Sequence, residues 1–262
     1  MLRLLAPLLS VFVLPLSAAA QDNVAQVQLL DGWHEDDRRV AGLEIALDPG
    51  WKTYWRAPGR AGIPPHFDWT GSQNVDRVEV HWPVPEVFDQ GGMTAVGYGD
   101  RVVLPLEITP IDPGAPVTLA LTLEMGVCQD ICVPVQAHAR GDLHGTDDGR
   151  DALIRDALAD RPLTAAEAGV AGLNCEITPT SDGMRVTTRL RMPPVGPAEY
   201  GVTELADPRM WVSGTDLRRR GDDLVAVTEI AAPRGEALAI SREALRLTVL
   251  GGNGAVEIRG CG

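Results

Sequence analysis

Lysine is almost missing from this 262-residue chain: Lys52 is the only one, and arginine carries nearly all of the remaining formal positive charge. The arginine bias is compositional and marks no site by itself. Against 36 acidic residues the 23 basic ones leave a net charge of −13. That balance argues against nucleic acid or an anionic membrane as a partner. Long apolar runs are scarce too. The one candidate lies at the N-terminus, where Arg3 precedes residues 4–16, broken only by Pro7, Ser10 and Pro15. A membrane helix needs about 20 residues. The small residues Ser17, Ala18, Ala19 and Ala20 then read as a cleavage site. Residues 1–20 are expected to be a signal peptide cleaved near Ala20, which makes the remainder exported and at most peripheral to a membrane.

Familiar catalytic patterns are also wanting. There is no Ser-His-Asp signature and no phosphate-binding loop. His34, His66, His81, His138 and His144 are scattered without metal-ligand spacing, and each reads as a surface residue. The acidic group at residues 35–37 is most simply a solvated face. No metal site and no cofactor is expected.

What remains is a β pattern. About 240 residues after the leader fit two domains. Residues 40–47, 51–55, 75–82, 102–108 and 117–125 read as strands, punctuated by Pro and Gly. Residues 56–65 are too rich in Pro and Gly for helix or central strand. Residues 88–99, with four glycines, read as an exposed loop. Residues 151–160 have helical periodicity, with Ala152, Leu153, Ala157 and Leu158 on one side. The β pattern resumes at Leu173, with strands near 175–177, 184–190, 210–213, 224–230, 245–250 and 256–259. The expected fold is all-β: a sandwich in residues 21–143, a short helical connector in 144–172 and a second sandwich in 173–262. Trp51, Trp55, Trp69 and Trp82 read as core or cross-strand residues.

Four cysteines in an exported chain allow three pairings, and sequence alone does not choose among them. A Cys175–Cys261 bridge would close a long loop, stabilise by roughly 4–5 kcal/mol in the chain-entropy model, and tie down the C-terminus. It is expected to be structural. Cys128 and Cys132 differ: separated by three residues, between β-prone flanks, they fit the two sides of a short hairpin turn. Closing so short a loop returns only about 2 kcal/mol, so stability is a weak reason for the pair. The spacing points to reversible thiol–disulfide chemistry. The alternatives are a hairpin staple, which would leave a partner-binding module, or a Cu(I) ligand pair helped by Met93 or Met125. Asp130 and Asp89 nearby would raise a thiol pKa.

Several stretches together resemble the periplasmic N-terminal domain of the disulfide reductase DsbD, especially its copper-tolerance relatives of the ScsB type. They are Asp48-Pro49-Gly50-Trp51-Lys52-Thr53-Tyr54-Trp55-Arg56, the run from Pro58 to Pro65 with Phe67-Asp68-Trp69, Tyr98-Gly99-Asp100-Arg101-Val102-Val103-Leu104-Pro105, and the segment from Gly126 to Pro134. The resemblance covers roughly residues 26–143, and the second half is similar to the further β domain of ScsB-type proteins. It implies immunoglobulin-like sandwiches and a periplasmic location. It also implies Cys128 and Cys132 as the redox pair, with Cys132 as the attacking thiol, Tyr54 packed near it, and Phe88 and Asp89 in a cap. Gly91 and Gly92 depart from the bulkier cap of better-known members. The implied partners are periplasmic thioredoxin-fold proteins. Because the chain lacks the family's membrane carrier, a separate membrane thiol reductase is the expected electron source.

Overall fold

The computed structural model describes residues 24–146, 149–236 and 238–260. The expected signal peptide and Cys261 lie outside these residues.

The first lobe contains β1 (Ala25–Glu35), β2 (Arg38–Leu47), β3 (Lys52–Tyr54), β4 (His66–Asp68), β5 (Arg77–Val80), β6 (Glu86–Gln90), β7 (Met93–Gly99), β8 (Arg101–Thr109), β9 (Val117–Cys128) and β10 (Cys132–Leu143). One sheet runs β1-β2-β8-β5 and the facing sheet β10-β9-β3-β7-β6, with β4 also paired to β9. Strand β9 shows why these residues form a sandwich. Val117, Leu119, Leu121, Leu123, Met125 and Val127 are all buried, while Thr118, Ala120, Thr122 and Glu124 alternate onto the other face. Each buried side chain of this kind is worth roughly 2 kcal/mol of transfer free energy. Leu43 and Ile45 of β2 and Leu104, Leu106 and Ile108 of β8 belong to the same core. A one-residue slip of β9 would turn its whole apolar set toward solvent.

Helix α1 (Asp151–Ala159) joins the lobes and packs back on the first. Its anchor is Ile154, fully buried against Leu30 and Val40, with Leu153 and Leu158 alongside. Ala152, expected on the apolar side, is exposed. The second lobe holds β11 (Leu163–Thr164), β12 (Ala171–Pro179), β13 (Met184–Arg191), β14 (Tyr200–Leu205), β15 (Trp211–Val212), β16 (Asp216–Arg220), β17 (Asp223–Ala231), β18 (Leu245–Gly251) and β19 (Gly254–Arg259). Its sheets run β11-β19-β18-β14 and β12-β13-β17-β15, with β16 on β17. The two lobes are β-sandwich-like, and the chain is all-β apart from α1 and a single 3-10 turn among the described residues. β11, inside the stretch read as connector, pairs in parallel with β19.

Residues 88–99 are not an exposed loop. They lie in the β6–β7 hairpin, where Gly91 and Gly92 (φ 62° and 82°) form a two-residue turn and Gln90 faces Met93. Ala95, Val96 and Tyr98 are buried. Gly97 is there for close approach, since a Cβ on it would stand 2.0 Å from the Thr53 carbonyl oxygen. Glycine density that reads locally as a loop here makes room for β3.

The lobes also share a core. Val202, Leu250 and Ala255 of the second lobe are buried in the same apolar cluster as Trp55 and Val96 of the first. Trp55 is fully buried, Trp51, Trp69 and Trp82 are half-buried, and Phe67 stacks on Trp69 and meets Trp82 edge-on.

Candidate redox site

Cys128 ends β9 and Cys132 begins β10, directly opposite each other with Cα atoms 4.1 Å apart and their sulfurs bonded at 2.08 Å. The two sulfurs have unlike surroundings. β9 is covered on its far edge by β3, where Lys52 faces Cys128, and Cys128 is fully buried. β10 is the margin of the sheet, and Cys132 is exposed there beside Ile131. Cys132 is the exposed member of the pair and Cys128 the buried one.

Tyr54 covers the buried one. Its hydroxyl stands 2.8 Å from Cys128 Sγ, 3.3 Å from Cys132 Sγ and 3.4 Å from the Ala61 carbonyl oxygen. One phenolic proton can be given to only one of these at a time. Burial pushes the Tyr54 pKa above its ordinary value, so the hydroxyl keeps its proton at neutral pH. The ring is boxed in by the 58–63 segment and by Gly126. A Cβ on Gly62 would lie 2.7 Å from the Tyr54 ring, and one on Gly126 would lie 2.9 Å from Ile63 and 3.1 Å from the ring.

Phe88 on β6 stacks beside Tyr54, centroids 6.4 Å apart and planes 23° from parallel, and packs in the same small apolar cluster as Cys128. Lys52, the lone lysine, lies 5.1 Å over the outer ring, Phe88. Asp89 does something else: its Oδ1 accepts a hydrogen bond from the Gly92 N–H at 3.0 Å and so shapes the hairpin turn. Gln90 Nε2 donates to the Gln129 carbonyl at 3.1 Å and fastens the hairpin to the cysteine turn. Sequence reasoning assigned no role to Lys52, Ala61 or Ile63, although all three lie in stretches that carry the family resemblance.

The remaining expected residues lie apart. Cys175 is buried on β12 with its sulfur 3.3 Å from Thr188 Oγ1, and its expected partner Cys261 lies outside the described residues. Met125 is in the core against Thr53, and Met93 is exposed in the hairpin. Among the described residues no three or more His, Cys, Asp or Glu side chains converge as a ligand set. No helix there is long and apolar enough to cross a membrane.

Residues 17–142 match the family described as thiol:disulfide interchange protein DsbD, N-terminal. Among solved structures, the N-terminal periplasmic domain of ScsB from Proteus mirabilis is similar over 91% of this chain and 92% of its own, with a TM-score of 0.65 and 25% identity. No curated protein matches the sequence. A close cysteine pair with one exposed and one buried member is suited to thiol–disulfide exchange.

Proposed function

Given that the first lobe is a DsbD-type N-terminal domain related to that of ScsB, we propose that this chain is a periplasmic thiol–disulfide oxidoreductase. It relays electrons through Cys128 and Cys132 between a membrane thiol reductase and thioredoxin-fold proteins. In this reading the domains are immunoglobulin-like sandwiches over residues 21–143 and 173–262, linked by 144–172, and a Cys175–Cys261 bridge is structural. The observation that carries the proposal is the unequal exposure of the two paired cysteines.

Reduction begins when a donor thiolate attacks Cys132 Sγ, the reachable sulfur. The donor–Cys132 bond forms, the Cys132–Cys128 bond breaks, and Cys128 leaves as a thiolate facing the Tyr54 hydroxyl. A second donor thiolate then attacks the donor sulfur of the mixed disulfide and releases Cys132. Donation to the acceptor runs in reverse. Cys132 thiolate attacks the acceptor disulfide, and Cys128 thiolate attacks Cys132 Sγ, re-forms the internal bond and frees the acceptor as a thiol. Tyr54 stabilises the charge on Cys128 in both directions. Phe88 packs on Tyr54 and covers the Cys128 side of the pair.

The reduction potential of the pair tests the proposal, measured by glutathione equilibration in a Cys175→Ala/Cys261→Ala variant. A value between about −180 and −270 mV lies among exchange proteins. A value below about −300 mV belongs to an inert staple and would end the redox assignment. The Tyr54→Phe variant should keep the fold and slow reduction by dithiothreitol about tenfold, the scale of one hydrogen bond to a developing charge. An unchanged stopped-flow rate would remove Tyr54 from the mechanism.

A further inference from the structure

The segment that follows Tyr54 is held by the other lobe. Arg56 Nε donates to Glu204 Oε1 at 2.9 Å and its Nη2 to Glu204 Oε2 at 3.0 Å, a two-point contact with β14. The same Nη2 donates to Glu257 Oε2 on β19 at 2.7 Å. Arg56 and both carboxylates are largely buried, with side-chain exposures of 15%, 18% and 13%. The guanidinium also lies 4.1 Å over the Trp55 ring. Burial alone would raise the Glu257 pKa, but Arg259, Arg246 and Arg56 outweigh it and hold the carboxyl below its ordinary value.

These contacts act on a segment that touches the redox pair at its other end. Trp55 N–H donates to the Val96 carbonyl and Val96 N–H to the Pro58 carbonyl, each at 3.0 Å, so residues 55–58 form part of the support of β7. The Ala61 carbonyl meets the Tyr54 hydroxyl, and Gly62 lies close against both Pro58 and the Tyr54 ring. Arg56 therefore sits between the second lobe and the two things that place Tyr54: its own strand and the turn folded over its ring. A guanidinium suits this position because its planar fork fixes direction, which a lysine ammonium would not.

We propose that Arg56 is a positioning residue for the exchange reaction: by fastening residues 55–63 to Glu204 and Glu257, it holds the Tyr54 hydroxyl at the Cys128 sulfur. The second lobe is then a brace of the redox site, not a passive appendage. This inference rests on the exchange reading above and names a control on that same site.

The test uses the full chain with dithiothreitol as reductant, following the Cys132 thiol by alkylation and mass spectrometry. The variants are Arg56→Gln, Arg56→Lys, a Glu204→Gln/Glu257→Gln pair, Tyr54→Phe, and Tyr54→Phe combined with Arg56→Gln. The Arg56→Gln rate is expected to fall several-fold, approaching the about tenfold loss of Tyr54→Phe. The double glutamine variant should match it, and Arg56→Lys should recover part of the rate. Combined with Tyr54→Phe, Arg56→Gln should slow reduction no further, because both changes remove one interaction. Should Arg56→Gln fail to fold, the lysine and double glutamine variants carry the same comparison. A folded set with lower melting temperatures but wild-type rates would overturn the inference, as would additive losses in the combined variant. Both results leave the exchange reading intact. A wild-type pair that dithiothreitol does not reduce would sink the reading and the inference together.

Discussion

The Cys132→Ser variant is expected to lose exchange with protein disulfides by at least about a thousandfold, the scale on which removing a nucleophile abolishes turnover. Cys128 remains in that variant, but it is fully buried between β3 and β10 and beneath Tyr54. A thiolate that a partner cannot reach does not attack it. The Cys128→Ser variant should behave in the opposite way. Its exposed Cys132 still attacks, but the mixed disulfide has no internal thiol to resolve it and accumulates as a one-to-one adduct. Incubating each variant with an oxidised thioredoxin-fold protein and separating the products on a non-reducing gel distinguishes them. A trapped adduct from Cys132→Ser and none from Cys128→Ser would invert the assigned roles.

The second large effect concerns stability. Trp55 is fully buried in the apolar cluster that runs from β9 and β7 into Val202, Leu250 and Ala255 of the second lobe. Truncating a buried tryptophan costs about 3–5 kcal/mol, because the surrounding side chains close the void only in part. The Trp55→Ala variant is expected to lower the urea midpoint by about 1–2 M, given a slope of roughly 3 kcal/mol per M for a chain of this size. Both lobes should lose stability, since the cavity opens in a core they share. Trp211, 58% exposed, is the control; Trp211→Ala should stay within about 0.5 kcal/mol of wild type. A Trp55→Ala midpoint equal to that of Trp211→Ala would show that the lobes do not depend on this side chain.

The cysteine hairpin was legible because its information is local. Alternating apolar residues define β9, three residues separate the sulfurs, and pairing across the turn follows. The 86–99 hairpin was misread because its glycines are explained only by what lies opposite: Gly97 is small for the sake of Thr53, more than forty positions earlier. Strands β14 and β16 were missed as well, Gly201 and the three arginines 218–220 offering little apolar signal. Arg56 lies in a stretch that carries the resemblance, but nothing in the sequence pointed to its partners. Its partners are 148 and 201 residues away, and no pattern read along a chain encodes a pairing at that separation. The family resemblance supplied Phe88 and Tyr54, where residue types alone offered only aromatics on β-prone segments.

The sheet that carries the disulfide ends in β6 on one side and β10 on the other, and open strand margins invite other chains to add on by backbone pairing. Both margins are poor templates for it. β6 is five residues long and bears Glu86 and Asp89. β10 places Pro134, which has no N–H to offer, two residues from Cys132, followed by the charged Arg140 and Asp142. A protein exposing a reactive cysteine beside Ile131 risks cross-linking with any sticky strand it meets. Blunted margins remove the commonest route to that accident and leave selection of a partner to side chains around the sulfur.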